Sequence, residues 1–263
     1  YGSVKGLKVD RETQEVIKGA TFGLFKSDIT EFTENNAILI AVTDENGVFV
    51  FNNIPYGEYL IKEIKPADGY LDNEDVFTVT IKDNEQVVEL TAINDKVPEL
   101  KTTATVNGKK EVIAKGEITI KDTVEYKHLV PNTEYVIKGT LMDKATGKPF
   151  MVKGKEVTST VKFTPDKANG TVEVKFTFDA SNIKKSTDLV VFESLYRDNV
   201  EIAVHADLKD KGQTVTIVPP APKTPKTSDN RNLGTWIGLG GVGLGAGIAA
   251  LLLKLKMKKD EDE

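Results

Sequence analysis

Four polar side chains interrupt rows of apolar residues in the second half of the chain, and their types could perform an acyl transfer. Residues two apart in a β-strand share a face, and this rule places Thr102, Asp122, Glu193 and Gln213 each in an inward, apolar row. A buried carboxyl must be paired or neutral, and a hydroxyl with a side-chain amide supplies a nucleophile and an electrophile. Each residue alone fits an ordinary satisfied polar group, but four in one small domain indicate a shared site.

Five segments between residues 101 and 218 add a specific pattern: KTTATV, ITIKDTVEYKHLVPNTEYVIKGTLMDKATGKP, NGTVEVKFTFDAS, VVFESLY and VHADLKDKGQTV. Together they resemble the T-Q ester-bond domain, or VaFE repeat, of Gram-positive surface adhesins. The resemblance implies an ester between Thr102, the nucleophile, and Gln213, the electrophile. It also implies assisting roles for three residues, Asp122, Glu193 and His205.

The chemistry implied by this resemblance suits the residue types. His205 is the natural base for a weak Thr nucleophile. Asp122 and Glu193 would form a carboxyl pair of high pKa that donates a hydrogen bond to the polarised amide of the Gln. Ammonia leaves, and a dry core keeps water from the ester. We expect Thr103 on the outward face of its strand and His128 on the surface.

Three further segments cover about residues 4–95: GLKVDRETQEVIKGATFGLF, TDENGVFVFNNIPYGEYLIKEIKPADGY and LTAIND. They resemble the CNA-B or SpaA-type domain of pilins and adhesins. The resemblance implies an isopeptide bond between Lys8 and Asn94, assisted by a protonated Glu63 that polarises the Asn carbonyl. The direction of Lys8 stays open, because apolar residues flank it on both sides. The alternative is a Lys8 that snorkels to water and a Glu63 that is only hydrogen-bonded.

The elements that must position these residues are β-strands. Short runs rich in Val, Ile, Thr, Phe and Tyr alternate with turn signals such as Glu45-Asn46-Gly47 and Asn169-Gly170. This pattern predicts an all-β chain of two tandem antiparallel β-sandwiches of Ig-like or prealbumin-like type. We place the modules at residues 1–97 and 98–219.

The last 44 residues, 220–263, predict a cell-wall sorting signal. Residues 220–232 form a Pro-rich linker, residues 233–253 are apolar and long enough for a transmembrane helix, and residues 254–263 are charged. This order resembles the LPxTG-type signal that sortase cleaves. The corresponding segment is Pro225, Lys226, Thr227 and Ser228, preceded by Thr224. Thr224 and Ser228 stand where the family has Leu and Gly.

The sorting resemblance implies sortase as a partner and transfer of the Thr227 carboxyl to peptidoglycan or a pilus subunit. The protein would be secreted, span the membrane before sorting, and end at the cell wall. We expect the sequence to be a fragment without its own signal peptide, because it begins at Tyr1. A host ligand would bind through a region that precedes this sequence.

Composition narrows the function classes. The chain has no Cys, which excludes disulfides, thiolate metal sites and a Cys nucleophile, and its net charge of −5 argues against nucleic acid. We expect no cofactor and no metal. The prediction is a structural stalk whose crosslinks form in a single turnover, so it is not an enzyme. Two alternatives stay open: modules that grip a host ligand without crosslinks, and a wall-bound glycosidase that uses paired carboxylates.

Overall fold

Strands account for almost all regular structure in residues 1–222, the part of the chain that the computed structural model describes. The one helical segment in this part is a 3-10 turn at Glu34–Asn36. The predicted sorting motif at Pro225–Ser228, the apolar span at 233–253 and the charged tail lie outside the described residues. Within residues 1–222, no helix has the length and apolar character needed to cross a membrane.

Seven strands form the N-terminal module. They are β1 (Gly2–Asp10), β2 (Thr21–Lys26), β3 (Leu39–Val42), β4 (Val48–Ile54), β5 (Gly57–Lys65), β6 (Val76–Ile81) and β7 (Val87–Asn94). One sheet has the order β4-β1-β7 and the other has the order β3-β2-β5-β6. Apolar side chains from both sheets meet in one core, where the rings of Phe22 and Phe49 stack at a centroid distance of 4.0 Å.

The end of β1 is covered on both sides. Lys8, Val9 and Asp10 are consecutive buried residues. The loop that follows β1 folds back over the strand, so that the amide of Ile17 donates to the carbonyl of Lys8 at 2.9 Å and Val16 bridges to Val9. Alternation of inward and outward residues fails here because neither face of the strand meets water. Lys8, whose direction the sequence left open, is therefore fully buried.

Twelve strands form the C-terminal module. They are β8 (Glu99–Thr105), β9 (Glu111–Ile113), β10 (Glu117–Lys127), β11 (Tyr135–Asp143), β12 (Lys148–Pro149), β13 (Met151–Val152), β14 (Lys155–Glu156), β15 (Thr158–Phe163), β16 (Gly170–Asp179), β17 (Thr187–Arg197), β18 (Val200–His205) and β19 (Thr214–Val218). One sheet has the order β16-β10-β8. The facing sheet has the order β12-β11-β17-β19-β9, with β15 paired to β11 and β18 paired to β17. The core between the two sheets is separate from that of the first module.

Two strand pairs differ from the antiparallel arrangement that the sequence predicts. In the first module β1 and β7 run parallel, and in the second module β9 and β19 run parallel. Parallel neighbouring strands cannot be joined by a tight turn, so no local turn signal in the sequence predicts their pairing. The consequence for the first module is that its first and last strands lie side by side in one sheet. In the second module β8 and β19 belong to opposite sheets.

Charged side chains join the two modules, which belong to one compact unit. Asp95 accepts hydrogen bonds from Arg11 Nε at 2.5 Å and from Arg197 at 2.8 Å. His128 Nδ1 lies 3.0 Å from Glu12 Oε2. His128, expected on the free surface, is thus half-buried at the junction.

Candidate functional site

Three strands bring Lys8, Glu63 and Asn94 together inside the first module. Lys8 comes from β1, Glu63 from β5 and Asn94 from the last residue of β7, and all three are buried. Lys8 Nζ lies 2.7 Å from Asn94 Oδ1 and 3.3 Å from Glu63 Oε1. Asn94 Nδ2 donates to Glu63 Oε2 at 2.8 Å. Each of the three groups therefore contacts the other two.

The orientation of the Asn94 amide differs from the one expected. Nδ2 also donates to the backbone carbonyl of Leu71 at 3.2 Å, and a carbonyl can only accept. This contact directs the nitrogen of the amide toward Glu63 and the oxygen toward Lys8. Glu63 thus faces the nitrogen that would leave as ammonia, whereas we expected it to polarise the carbonyl oxygen.

Burial favours the uncharged forms of Lys8 and Glu63. It lowers the pKa of the Lys8 ammonium below its usual range, and the nearby Glu63 carboxylate opposes this only in part. Burial likewise raises the pKa of Glu63, against the hydrogen bond from Asn94 and the charge of Lys8. The ring of Phe22, whose centroid is 5.4 Å from Lys8 Nζ, contributes to the apolar surroundings. A neutral amine is the form that can act as a nucleophile.

Thr102, Asp122, Glu193 and Gln213 form a second buried polar group, in the other module. Thr102 comes from β8, Asp122 from β10 and Glu193 from β17, while Gln213 directly precedes β19. Gln213 Nε2 donates to Glu193 Oε2 at 3.1 Å, so this carboxyl faces the amide nitrogen, whereas we expected it to donate to the polarised amide. Thr102 Oγ1 and Gln213 Oε1 are buried without a hydrogen-bond partner in residues 1–222. Buried polar atoms are seldom left unpaired, so the hydroxyl and the amide oxygen are candidates for reacting groups.

Asp122 and Glu193 form a pair of buried carboxyls. They contact each other in the dry core, and burial raises the pKa of both groups, that of Glu193 further because the Asp122 charge lies beside it. Two carboxylates in contact cannot both ionise without strong repulsion. A carboxyl sealed in this way cannot reach a polysaccharide, which argues against the glycosidase alternative.

Asp210 is a residue of this site that the sequence did not reveal. His205, the last residue of β18, lies opposite Glu193 on β17, and its Nε2 is 3.0 Å from Asp210 Oδ2. Within residues 1–222 no hydrogen bond joins His205 to Thr102. Asp210 Oδ1 accepts a hydrogen bond from the backbone amide of Gly212 at 2.6 Å. This bond links the His ring to the segment that carries Gln213. The sequence feature that could have indicated this role is the acidic residue shortly before Gln213, in the segment DKGQTV.

We expect the raised pKa values of this carboxyl pair to make the second module less stable at high pH. A folded state with raised pKa values binds more protons than the unfolded chain, so its stability is full below the ordinary carboxyl range and declines as pH rises. In a Thr102→Ala background, the unfolding free energy should fall between about pH 5 and 8. The fall is up to about 1.4 kcal/mol per pH unit for each proton that the folded state keeps and the unfolded chain loses. Adding Glu193→Gln removes one such proton and should make this fall less steep.

Urea unfolding at several pH values measures this dependence. Glu125→Gln, an exposed position on β10, is the control and should leave the slope unchanged. An equal slope with and without Glu193 would contradict the raised pKa of this carboxyl pair.

Among residues 1–222 no cluster of His, Cys, Asp or Glu side chains could hold a metal ion. What the fold presents instead is two strand-built sites, each with a nucleophile, a carboxyl and a side-chain amide in a sealed core. These features define a class of all-β modules with a buried polar site in each core. Family models then match the chain twice: a SpaA prealbumin-like fold domain over residues 2–96, and a T-Q ester bond containing domain over residues 98–217. The chain therefore contains a SpaA-type domain followed by a T-Q ester bond domain.

Similar proteins are adhesins and pilins of Gram-positive bacteria rather than enzymes. A collagen adhesin of Staphylococcus aureus is 28% identical over 127 residues, which are 48% of this chain and 10% of that protein, so the chain spans about a tenth of its length. BcpA, the major pilin subunit of Bacillus cereus, is 17% identical with a TM-score of 0.48, covering 83% of this chain and 69% of that one. A Mobiluncus mulieris adhesin with disulfide, isopeptide and ester cross-links is 20% identical with a TM-score of 0.41, covering 48% and 58%.

Proposed function

We propose that this chain is a stalk segment of a cell-surface adhesin or pilin, stiffened by two crosslinks that it forms itself. One is an isopeptide bond between Lys8 and Asn94, and the other is an ester between Thr102 and Gln213. The observation that carries the proposal is that each nucleophile and amide share a dry core with a carboxyl of raised pKa. Such a core favours neutral reactants and shields the product from water.

The isopeptide bond forms by transfer of one proton. Lys8 Nζ, as a neutral amine, attacks Asn94 Cγ, the Nζ–Cγ bond forms and the Cγ–Nδ2 bond breaks. One proton moves from Nζ to Nδ2, and ammonia leaves. Glu63 contacts both nitrogens, at 3.3 and 2.8 Å, and relays this proton.

The ester forms by the same exchange of groups. Thr102 Oγ1 attacks Gln213 Cδ, so that the Oγ1–Cδ bond forms and the Cδ–Nε2 bond breaks. In net, one proton passes from the hydroxyl to the departing nitrogen, which leaves as ammonia. Glu193 contacts Nε2 and supplies its proton, while His205 accepts the proton of the hydroxyl. Asp210 fixes the His ring through Nε2, which leaves Nδ1 as the acceptor.

The topology gives both bonds a mechanical role. Each links the first strand of a module to the segment that ends it, so tension applied through the chain ends runs through covalent bonds rather than strand hydrogen bonds. The isopeptide would join neighbours in one sheet, and the ester would join opposite sheets. The stalk would reach the cell wall by sortase cleavage after Thr227, with peptidoglycan or a pilus subunit as the acceptor.

Intact mass tests this function directly. Residues 1–221 should weigh less than their sequence by two ammonia molecules, about 17 Da each. After correction for the substitution, Lys8→Ala should restore one ammonia and Thr102→Ala the other. A mass equal to the plain sequence would overturn the proposal.

Host-ligand binding by the modules is the second candidate. The observation that favours it is the edge strand β3, where Ile40 and Val42 are about half exposed, at 48% and 56%. Because the Staphylococcus aureus relative is a collagen adhesin, collagen is the ligand to test. Saturable binding of residues 1–221 to immobilised collagen would support this function, whereas a pure stalk should give none.

A further inference from the structure

Lys110 lies outside both sets of predicted site residues, yet its ammonium connects the two segments that carry the ester-forming groups. It sits just before β9 and is an exposed residue, but its side chain folds back over the protein. Nζ donates to the carbonyl of Ala104 at 2.6 Å and to the carbonyl of Gly212. Ala104 is on the strand of Thr102, and Gly212 directly precedes Gln213.

These two segments are held together at few other points. β8 and β19 lie in different sheets, so no strand ladder joins Thr102 to Gln213. The amide of Ala104 donates to Gly212 O at 2.9 Å, and the two segments approach so closely that a Cβ on Gly212 would lie 3.2 Å from the Thr102 carbonyl oxygen. The ammonium of Lys110 thus gives a second hydrogen bond to the same carbonyl of Gly212.

The charge of Lys110 also faces the acidic groups of the site. Asp122 and Asp210 are the carboxyls that act on its ammonium, and the Lys in turn favours the ionised form of Asp122. A cation here offsets negative charge that would otherwise repel the developing oxyanion of the Gln amide.

We propose that Lys110 is a positioning residue for ester formation, which aligns the Thr102 strand with the Gln213 segment before the bond exists. The inference rests on the proposed ester chemistry. Lys110 itself touches neither reacting side chain. Its main contribution is to position the two segments, and a misplacement of about 1 Å between reacting atoms can slow a reaction about 100-fold.

The test is the rate of ester formation in the full chain. Chains made by cell-free translation are quenched in acid at timed intervals, and mass spectrometry counts the peptides joined between the first and last strands. Lys110→Met keeps the length of the side chain but removes its charge and its donors. We expect the ester to form about 10- to 100-fold more slowly, while Lys109→Met, at the exposed neighbouring position, reacts as the wild type does.

Two further variants separate positioning from simple stability. Lys110→Arg keeps the charge and the donors and should restore most of the rate. In a Thr102→Ala background, Lys110→Met should shift the denaturation midpoint no more than Lys109→Met does. A wild-type rate in Lys110→Met, or a slow rate that Arg does not rescue, would overturn this inference alone. Absence of the ester from the wild type would instead overturn the proposed function.

Discussion

Replacing Glu63 by Gln is expected to slow formation of the isopeptide bond about 10²- to 10⁴-fold, the range that a positioned acid–base group contributes. Gln can still accept the hydrogen bond that Asn94 Nδ2 gives to Oε2, at 2.8 Å in the native site. It cannot take a proton from Lys8 and pass it to the departing nitrogen. The bound geometry is therefore retained while the proton relay is lost.

Timed intact-mass measurements on residues 1–221 follow this loss. The Gln variant should keep the ammonia that the wild type releases in the first module, and it should still release the one in the second module. Glu58→Gln, an exposed position on the same strand, is the matched control and should react as the wild type does. Crosslinking of the Glu63→Gln chain at the wild-type rate would show that Glu63 only fills space.

The alternation of inward and outward side chains along strands is the basis for most of what the sequence predicts about the second site. Thr102, Asp122 and Glu193 lie on long strands with one face to the core, and there the period of two gives the direction of each side chain. All three are buried, and Thr103, one residue away, is exposed on the outer face. The all-β class follows from the same pattern, since strand residues and turn signals recur along the described part.

Where a strand has two covered faces, or a residue lies in a loop, the same rule gives no answer. Lys8 is buried because the loop to Ile17 covers the end of β1, a tertiary event that no local period reports. Asp210 lies in the loop between β18 and β19, and the conformation of that loop brings it to His205. The parallel pairing of β1 with β7 is hidden for the same reason, because it joins strands far apart in sequence.

In the crosslinking that we propose, the two sites solve one chemical problem with different nucleophiles. In each, a buried carboxyl contacts the amide nitrogen that must leave: Glu63 at Asn94 and Glu193 at Gln213. An amide nitrogen leaves only when it gains a proton, so this placement addresses the difficult step of both reactions. The nucleophiles differ in what they need. A Lys becomes reactive when burial lowers the pKa of its ammonium, whereas a Thr hydroxyl requires a separate base. This difference explains why His205 and Asp210 accompany only the second site.

Removing the ester is expected to lower the stability of the second module by several kcal/mol. Closing a loop of about 100 residues restricts the unfolded chain by roughly 4–5 kcal/mol, and Thr102→Ala would forfeit this restriction. In guanidinium unfolding of residues 1–221, the transition of the second module should move to lower denaturant while that of the first module stays in place. The first module thereby serves as an internal control.

Thr102→Ser and Thr103→Ala separate the ester from the loss of a side chain. Ser keeps a hydroxyl at the reacting position and should retain the crosslink and most of the stability, whereas Thr103 lies on the exposed face and its removal should change little. The ester should also respond to chemistry that leaves an isopeptide intact. Alkali applied to the unfolded chain should open the Thr102–Gln213 bond by addition of one water, and the folded core should prevent this. A Thr102→Ala chain that unfolds at the wild-type denaturant concentration would mean that the second module is held by its packed core alone.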